Sequence, residues 1–285
     1  MISEAMRILN ARDRLISLDH TIIIGTLNVT PDSFYDGGKF VIPEIALAHA
    51  HTMAEDGADI IDIGGESTRP GSESISAETE LSRLVPVLSL LLEKLTIPIS
   101  IDTTKAEVAR ECLRMGAHII NDVSGLQDPQ MRKVIAEYNV PAVIMHMKGI
   151  PKIMRYSTQT QEALYTDVIG EIKTFLFKRA KEAKKDGISQ IIIDPGIGYG
   201  KRLEDNLAII KNLAEFKALG YPILVGVSRK SFIGKLLNLE PEDRLEGTLA
   251  ANTACILYGA DMLRVHDVKE AKRAAAVAKA IAQSE

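Results

Sequence analysis

The chain has 285 residues, 46% hydrophobic and 5% aromatic with no tryptophan, and a formal net charge of −4. That length suits one large domain with an aliphatic core, and the acidic balance argues against a nucleic-acid or anionic-membrane partner. No stretch reaches the ~18–20 apolar residues of a membrane span, and the opening MISEAMRILNARDR is charged where a secretory signal would be apolar, so a cytoplasmic protein is expected.

Residues 1–20 precede the first apolar run and are expected to close the bottom of the fold. The run 21–28 (TIIIGTLN) reads as a strand ending in Asn28, followed by a long loop, Thr30–Phe40. A helix is predicted over 43–56, with Pro43 in its first turn and Gly57 after its end. The run 58–63 contains Asp62 and leads into a second long loop, Gly64–Ser76. Both loops are rich in Gly and Ser and read as mobile lids. Further strand-like runs at 97–102, 117–122 and 140–146 carry Asp102, Asn121 and His146 at or near their ends. A helix is predicted over 160–186 from the recurrence of Ile169, Ile172, Leu176 and Ala180, followed by a strand at 190–194 ending in Asp194. Helix 203–219 stops at Gly220, strand 221–228 ends in Ser228, and strand 260–266 carries Arg264 and His266 before a last helix, 267–284. Cys112 and Cys255 have no motif spacing and are expected as reduced, buried thiols.

Eight strand-like runs alternating with helical segments predict a (β/α)8 TIM barrel spanning 1–285 as a single domain with its core at about 20–280. The near-continuous apolar character of the runs fits a parallel sheet covered by helices. An open doubly wound sheet is the rival, and the eight units favour the closed form. In a closed barrel the polar strand ends fall on one face, where such folds place their chemistry.

Two groups of residues stand out there. Ser228-Arg229-Lys230-Ser231 and Arg264-Val265-His266 form a basic corner suited to phosphate or diphosphate, unless the arginines are spent in ion pairs. Asp102, Asn121 and Asp194 supply acceptors for a heterocycle with several N–H donors. Taken singly each could cap a helix, and Asp102-Thr103-Thr104-Lys105 has the form of a helix start. The segment from Asp194 to Lys201 (DPGIGYGK) matches neither nucleotide signature, and its glycines, Gly198 among them, let backbone approach a flat ligand. Lys230 alone does not support Schiff-base chemistry, and His146 reads as packing or loop support, with no second His at metal-ligand spacing.

The motifs Leu27-Asn28-Val29-Thr30-Pro31-Asp32-Ser33-Phe34, Asp36-Gly37-Gly38, Gly64-Gly65-Glu66-Ser67-Thr68-Arg69-Pro70-Gly71 and Ser100-Ile101-Asp102-Thr103 resemble those of the dihydropteroate synthases. So do Ile120-Asn121-Asp122-Val123-Ser124-Gly125, Met145-His146-Met147, Asp194-Pro195-Gly196-Ile197-Gly198, Ser228-Arg229-Lys230-Ser231-Phe232 and Arg264-Val265-His266-Asp267. The resemblance implies condensation of 6-hydroxymethyl-7,8-dihydropterin diphosphate with 4-aminobenzoate, giving 7,8-dihydropteroate and diphosphate. It implies that Asp102, Asn121, Asp194 and Lys230 bind the pterin, with Met145 and Gly198 lining its slot. Arg264 and His266 are expected to hold the diphosphate, and Asn28 to ligate Mg²⁺ on it. Phe34, Thr68, Arg69, Pro70, Lys230 and Ser231 are expected around aminobenzoate. Asp36, Lys230 and Asp194 are the catalytic candidates, with Asp36 stabilising positive charge on the pterin. Sulfonamides would compete as aminobenzoate mimics, and a homodimer is expected.

Tyr199 and Lys148 depart from the family's frequent Phe and Gln. Two alternatives are a pterin-binding, corrinoid-dependent methyltransferase domain and a catalytically silent pterin-binding homologue. The STRPG and SRKS segments argue against the first, and the intact Asn28, Lys230, Arg264 and His266 against the second.

Overall fold

The computed structural model describes residues 8–30, 43–67, 72–149 and 165–284. The chain begins with an antiparallel hairpin, β1 (Ile8–Ala11) and β2 (Arg14–Ser17). Eight parallel strands follow: β3 (Ile22–Asn28), β4 (Ile60–Gly64), β5 (Ile99–Asp102), β6 (Ile119–Asp122), β7 (Ala142–Met145), β8 (Ile191–Asp194), β9 (Leu224–Val225) and β10 (Met262–Val265). They lie in the order β8-β7-β6-β5-β4-β3-β10-β9, and an Ile193–Ile223 bridge closes β8 onto β9. The sheet is therefore a barrel, and the doubly wound alternative falls. The predicted strand 221–228 is much shorter than expected: only Leu224 and Val225 hold ladder pairs, with β10.

Alternate strand residues divide between two apolar clusters, as the two-residue period of a strand requires. Ile23, Ile61, Ile101, Ile120, Ile144, Ile193 and Leu263 pack outward against helical residues such as Leu84, Leu88, Cys112, Ile135, Leu176 and Ile209. Ile22, Ile24, Ile60, Ile119, Val143, Ile192, Leu224 and Met262 point inward. Leu9, Ala11 and Ile16 of the hairpin join this inner cluster, so β1 and β2 stopper the N-terminal end of the barrel as expected for residues before 20.

The covering helices are α1 (Pro43–Glu55), α2 (Ala77–Lys94), α3 (Ala106–Met115), α4 (Pro129–Tyr138), α5 (Val168–Lys185), α6 (Leu203–Lys211), α7 (Ser231–Leu237), α8 (Leu245–Leu257) and α9 (Val268–Gln283). Their starts follow local chemistry. Ser76, Asp128 and Asp167 cap α2, α4 and α5 by accepting the backbone N–H of Thr79, Gln130 and Gly170. The Asp167 cap starts α5 at 168 and not at 160; residues 150–164 lie outside the described part. The predicted helix 203–219 divides at Asn212 into α6 and a 3-10 helix, Leu213–Leu219. Among the described residues no helix is long and apolar enough to cross a membrane. Both cysteines are free and buried, and burial pushes their thiols up to about 12.

The stopper contributes stability through Ile16, which is 5% exposed. Ile16→Ala should lower the unfolding free energy by about 2–4 kcal/mol in a urea titration. A loss below about 0.5 kcal/mol, the size of an ordinary surface change, would mean that the hairpin does not support the barrel.

Candidate active site

Two residues above the inner apolar layer, the same inward strand positions turn polar. Ile60 is followed by Asp62, Ile119 by Asn121 and Met262 by Arg264, with Ser100 and then Asp102 on β5. Beneath them a small cavity is walled by Ile24, Ile60, Ile119, Val143, Ile192 and Leu224. Arg264 occupies the centre of the layer. Its Nε donates to Asp62 Oδ2 at 2.6 Å and an Nη donates to Asp102 Oδ2 at 2.9 Å. Asn121 Nδ2 also donates to Asp62 Oδ2, at 3.1 Å. Asp102 and Asn121 are direct partners across the β5–β6 ladder.

This arrangement gives the strand-end residues defined partners. Asp102 does not cap the helix that follows; α3 starts at Ala106 with no side-chain cap from Lys105, and the Asp102 carboxylate turns inward instead. Arg264, expected at diphosphate, is held by two carboxylates, because buried anions require a cation. Asp62 anchors the layer with 1% of its side chain exposed. One oxygen of each carboxylate, Asp62 Oδ1 and Asp102 Oδ1, is buried without a hydrogen-bond partner among the described residues. Such atoms call for an N–H donor. Burial raises the Asp102 carboxyl to about 7 against the opposing pull of Arg264.

The opposite wall is built by β8 and the loop before α7. Asp194 lies at the end of β8, and its Oδ1 accepts the Gly196 N–H at 2.7 Å. Burial raises its carboxyl, opposed mainly by Lys230. Lys230 stands at the cap position of α7; its Nζ donates to Ile197 O and lies 4.7 Å from the centre of the Tyr199 ring. Burial brings its ammonium down to about 8, while Asp194 acts the other way. The change from Phe to Tyr at 199 thus keeps a cation–π surface under Lys230. Gly198 is required here by close approach: at φ +85°, an added Cβ would sit 3.0 Å from Lys230 Cδ. Met145 lies on β7 directly beside Asp194 in the ladder.

At the mouth, His266 is exposed and its Nδ1 is 2.9 Å from Ser228 Oγ. Ser231 begins α7 and Asn28 ends β3, both partly exposed. The basic corner is smaller than its sequence suggested. Arg229, in a left-handed backbone conformation, turns away to a bidentate pair with Asp267 at 2.9 and 2.7 Å. Phe34, Asp36, Thr68, Arg69 and Pro70 lie outside the described residues. The second long loop is anchored at its base: Glu66 accepts the Ile75 N–H and pairs with Lys105, which also pairs with the buried Glu80. Among the described residues no cluster of three His, Cys, Asp or Glu could hold a metal ion.

Lys201 went unrecognised in the sequence because its motif was weighed only as a nucleotide signature. It is fully buried, and its Nζ contacts Gly196 O, Tyr199 O, His146 O and His146 Nδ1. His146 is the loop support expected of it, packed edge-on against Phe175 at 4.9 Å.

Removing the central cation tests the layer. Arg264→Met leaves two carboxylates buried, at a cost of about 3–5 kcal/mol. The sign with pH follows from linkage. A carboxyl raised in the folded state holds its proton where the unfolded chain has lost it, so stability falls as pH rises. In the wild type that fall should end near the Asp102 value of about 7. In Arg264→Met, denaturation curves should show it continuing at higher pH, and an unchanged pH dependence would exclude the charged layer.

The family described as pterin binding enzyme matches residues 24–266. The dihydropteroate synthase of Synechocystis is 46% identical over 92% of this chain and 90% of its own length. A structure of the Xanthomonas albilineans dihydropteroate synthase with 4-aminobenzoic acid superposes with a TM-score of 0.90 at 40% identity, covering 98% of this chain and 100% of that one. The Yersinia pestis dihydropteroate synthase in a sulfonamide drug complex does so with a TM-score of 0.90 at 39% identity, covering 97% and 100%.

Proposed function

Because the chain belongs to the dihydropteroate synthase family of pterin-binding enzymes, we propose that its polar barrel layer is the pterin site of that reaction. The enzyme is a transferase: it condenses 6-hydroxymethyl-7,8-dihydropterin diphosphate with 4-aminobenzoate, releasing diphosphate. The methyltransferase and silent-homologue readings are thereby displaced. The observation that carries the site assignment is the pair of buried oxygens on Asp62 and Asp102, next to Asn121, that have no hydrogen-bond partner among the described residues. An aminopyrimidine edge offers the N–H donors that they lack.

In this reading Asp102, Asn121 and Asp194 accept from the pterin, and Lys230 donates to it from above the Ile197 carbonyl. With its ordinary value lowered only to about 8, Lys230 remains mostly cationic at neutral pH and can stabilise electron density on the ring. Met145 and Gly198 bound the slot. His266 and Arg264 face the leaving diphosphate side, Arg264 doing so while held by Asp62 and Asp102, and Ser231 belongs to the aminobenzoate side. Phe34, Thr68, Arg69 and Pro70 complete the aminobenzoate side on the family's pattern, with Asp36 near the developing positive charge. The arylamine is already nucleophilic, so the barrier is departure of the leaving group. The methylene C–O bond breaks, the amine nitrogen forms the new C–N bond, and the amine then loses a proton.

Magnesium carried by the diphosphate would neutralise charge on the leaving oxygen. Asn28 fits as its protein ligand, because its neutral amide oxygen lies at a strand end and Mg²⁺ takes most of its ligands from water and phosphate. Sulfonamides occupy the same pocket as aminobenzoate in this reading, as a drug of that class is bound by the Yersinia relative.

Incubation with both substrates and Mg²⁺ should yield dihydropteroate and diphosphate. Lys230→Ala and Asp194→Asn should each lower kcat about 100-fold or more, the scale of losing a positioned electrostatic group. Chelation of Mg²⁺ should abolish turnover. Near-normal rates from either variant would overturn the site assignment, and full activity in chelator the metal role.

We further propose a homodimer through α7, α8 and α9, which expose Leu236, Leu237, Leu257, Val277 and Ile281 on neighbouring helices, with Tyr258 exposed just after α8. Leu257→Asp with Ile281→Asp should convert a sedimenting dimer to a monomer; a wild-type monomer would refute this.

A further inference from the structure

Lys201 is a fully buried lysine whose four polar contacts are all to uncharged atoms, and burial brings its ammonium down to about 7 against the opposing pull of Asp194. Such a group is costly to bury, and nothing in the reaction uses it directly. Its contacts explain its place. Nζ reaches Gly196 O at 2.7 Å, Tyr199 O at 3.1 Å, and His146 at Nδ1 (3.1 Å) and O (3.3 Å). It therefore ties the turn after β8 to the end of β7. In its ammonium form Lys201 has only donors, and His146 Nδ1 then carries the lone pair that accepts from it. Burial holds that imidazole neutral, with its ordinary value driven down to about 2.

The same turn carries everything that aims the far wall of the site. Gly196 donates to the Asp194 carboxylate, Ile197 O receives Lys230, and Tyr199 lies under the Lys230 ammonium. The turn is also pressed against β7: at Gly196 (φ +70°) an added Cβ would fall 1.8 Å from His146 O. Resting on the pterin-site reading above, we infer that Lys201 is a positioning residue, a buried hydrogen-bonding hub that fixes the Asp194–Gly200 turn and thereby sets Asp194 and Lys230 for the pterin. It touches no substrate.

The charge adds a second effect. The charged groups acting on Asp194 are Lys230 from the α7 cap, Lys201 from its own turn and Arg264 from β10. Those acting on Lys201 are Asp194, Lys230, Asp205 of α6 and Lys148 after β7, with neutral His146 in contact. Lys201 lowers the Asp194 carboxyl, so its loss raises that carboxyl and shifts the Asp194 titration to higher pH.

The test uses the full-length Lys201→Met and Lys201→Gln variants; the glutamine keeps two N–H donors without charge and guards against loss of folding in the first. With each substrate varied in turn, KM for the pterin diphosphate should rise at least tenfold in Lys201→Met and kcat should fall. KM for 4-aminobenzoate should stay within twofold, and Lys201→Gln should lie between Met and wild type. Carboxyl ¹³C NMR should show the Asp194 titration moving upward in Lys201→Gln, whatever the wild-type turnover. A folded Lys201→Gln with unchanged pterin KM and an unmoved Asp194 titration would overturn the hub, leaving Lys201 as packing alone. Absence of wild-type turnover would instead count against the pterin-site reading, with the NMR shift still deciding the hub.

Discussion

A closed parallel barrel has one interior, and every strand contributes to it at alternate residues. That constraint forces Asp62, Ser100, Asn121 and Arg264 together although more than 200 residues separate the ends of the series, as the Asp62–Arg264 pair illustrates with a separation of 202. Two positions lower, the same stack is isoleucine, valine, leucine and methionine. The transition from apolar plug to charged layer takes one inward step, and the charges survive there because each has a counterpart. Arg264 alone satisfies an oxygen on two carboxylates. Its interaction is less a stabilising bonus than the condition for burying Asp62 and Asp102 at all.

The two walls of the site solve the burial problem differently. On the β4–β5–β10 side, charge meets charge through Arg264. On the β8 side, Asp194 is held by a backbone N–H and by cations that do not touch it in an ion pair, while Lys230 rests on a carbonyl and an aromatic face. The first wall is rigid electrostatics and the second is a shaped turn. A reaction that only needs a leaving group to depart from a well-oriented ring suits such a division, since positioning and field supply its acceleration.

Much of this was legible in the sequence. The eight runs, the Gly punctuation and the polar strand ends led to the barrel, because a closed α/β fold repeats its local signals once per unit. The inward set Asp102, Asn121 and Asp194 followed from strand-end position. Asp62 shares their parity, sitting two residues after inward Ile60, and parity was the signal that would have placed it with them. Arg229 and Arg264 were not separable by composition. The backbone at Arg229 is left-handed and sends its side chain to Asp267, and a sequence of adjacent basic residues carries no mark of that turn. Lys201 was hidden for a related reason: three of its four contacts are main-chain carbonyls, which every residue has.

The hairpin at the N-terminal end makes the barrel a blind well. Leu9, Ala11 and Ile16 fill the floor with apolar side chains. Among the described residues, the side that His266 and Asn28 border is the one left open opposite that floor, and on the pterin-site reading both substrates approach from it. Traffic above a filled floor is last in, first out. The deepest ligand has to be seated before anything above it, and it can escape only after the upper occupant has left or has become part of it.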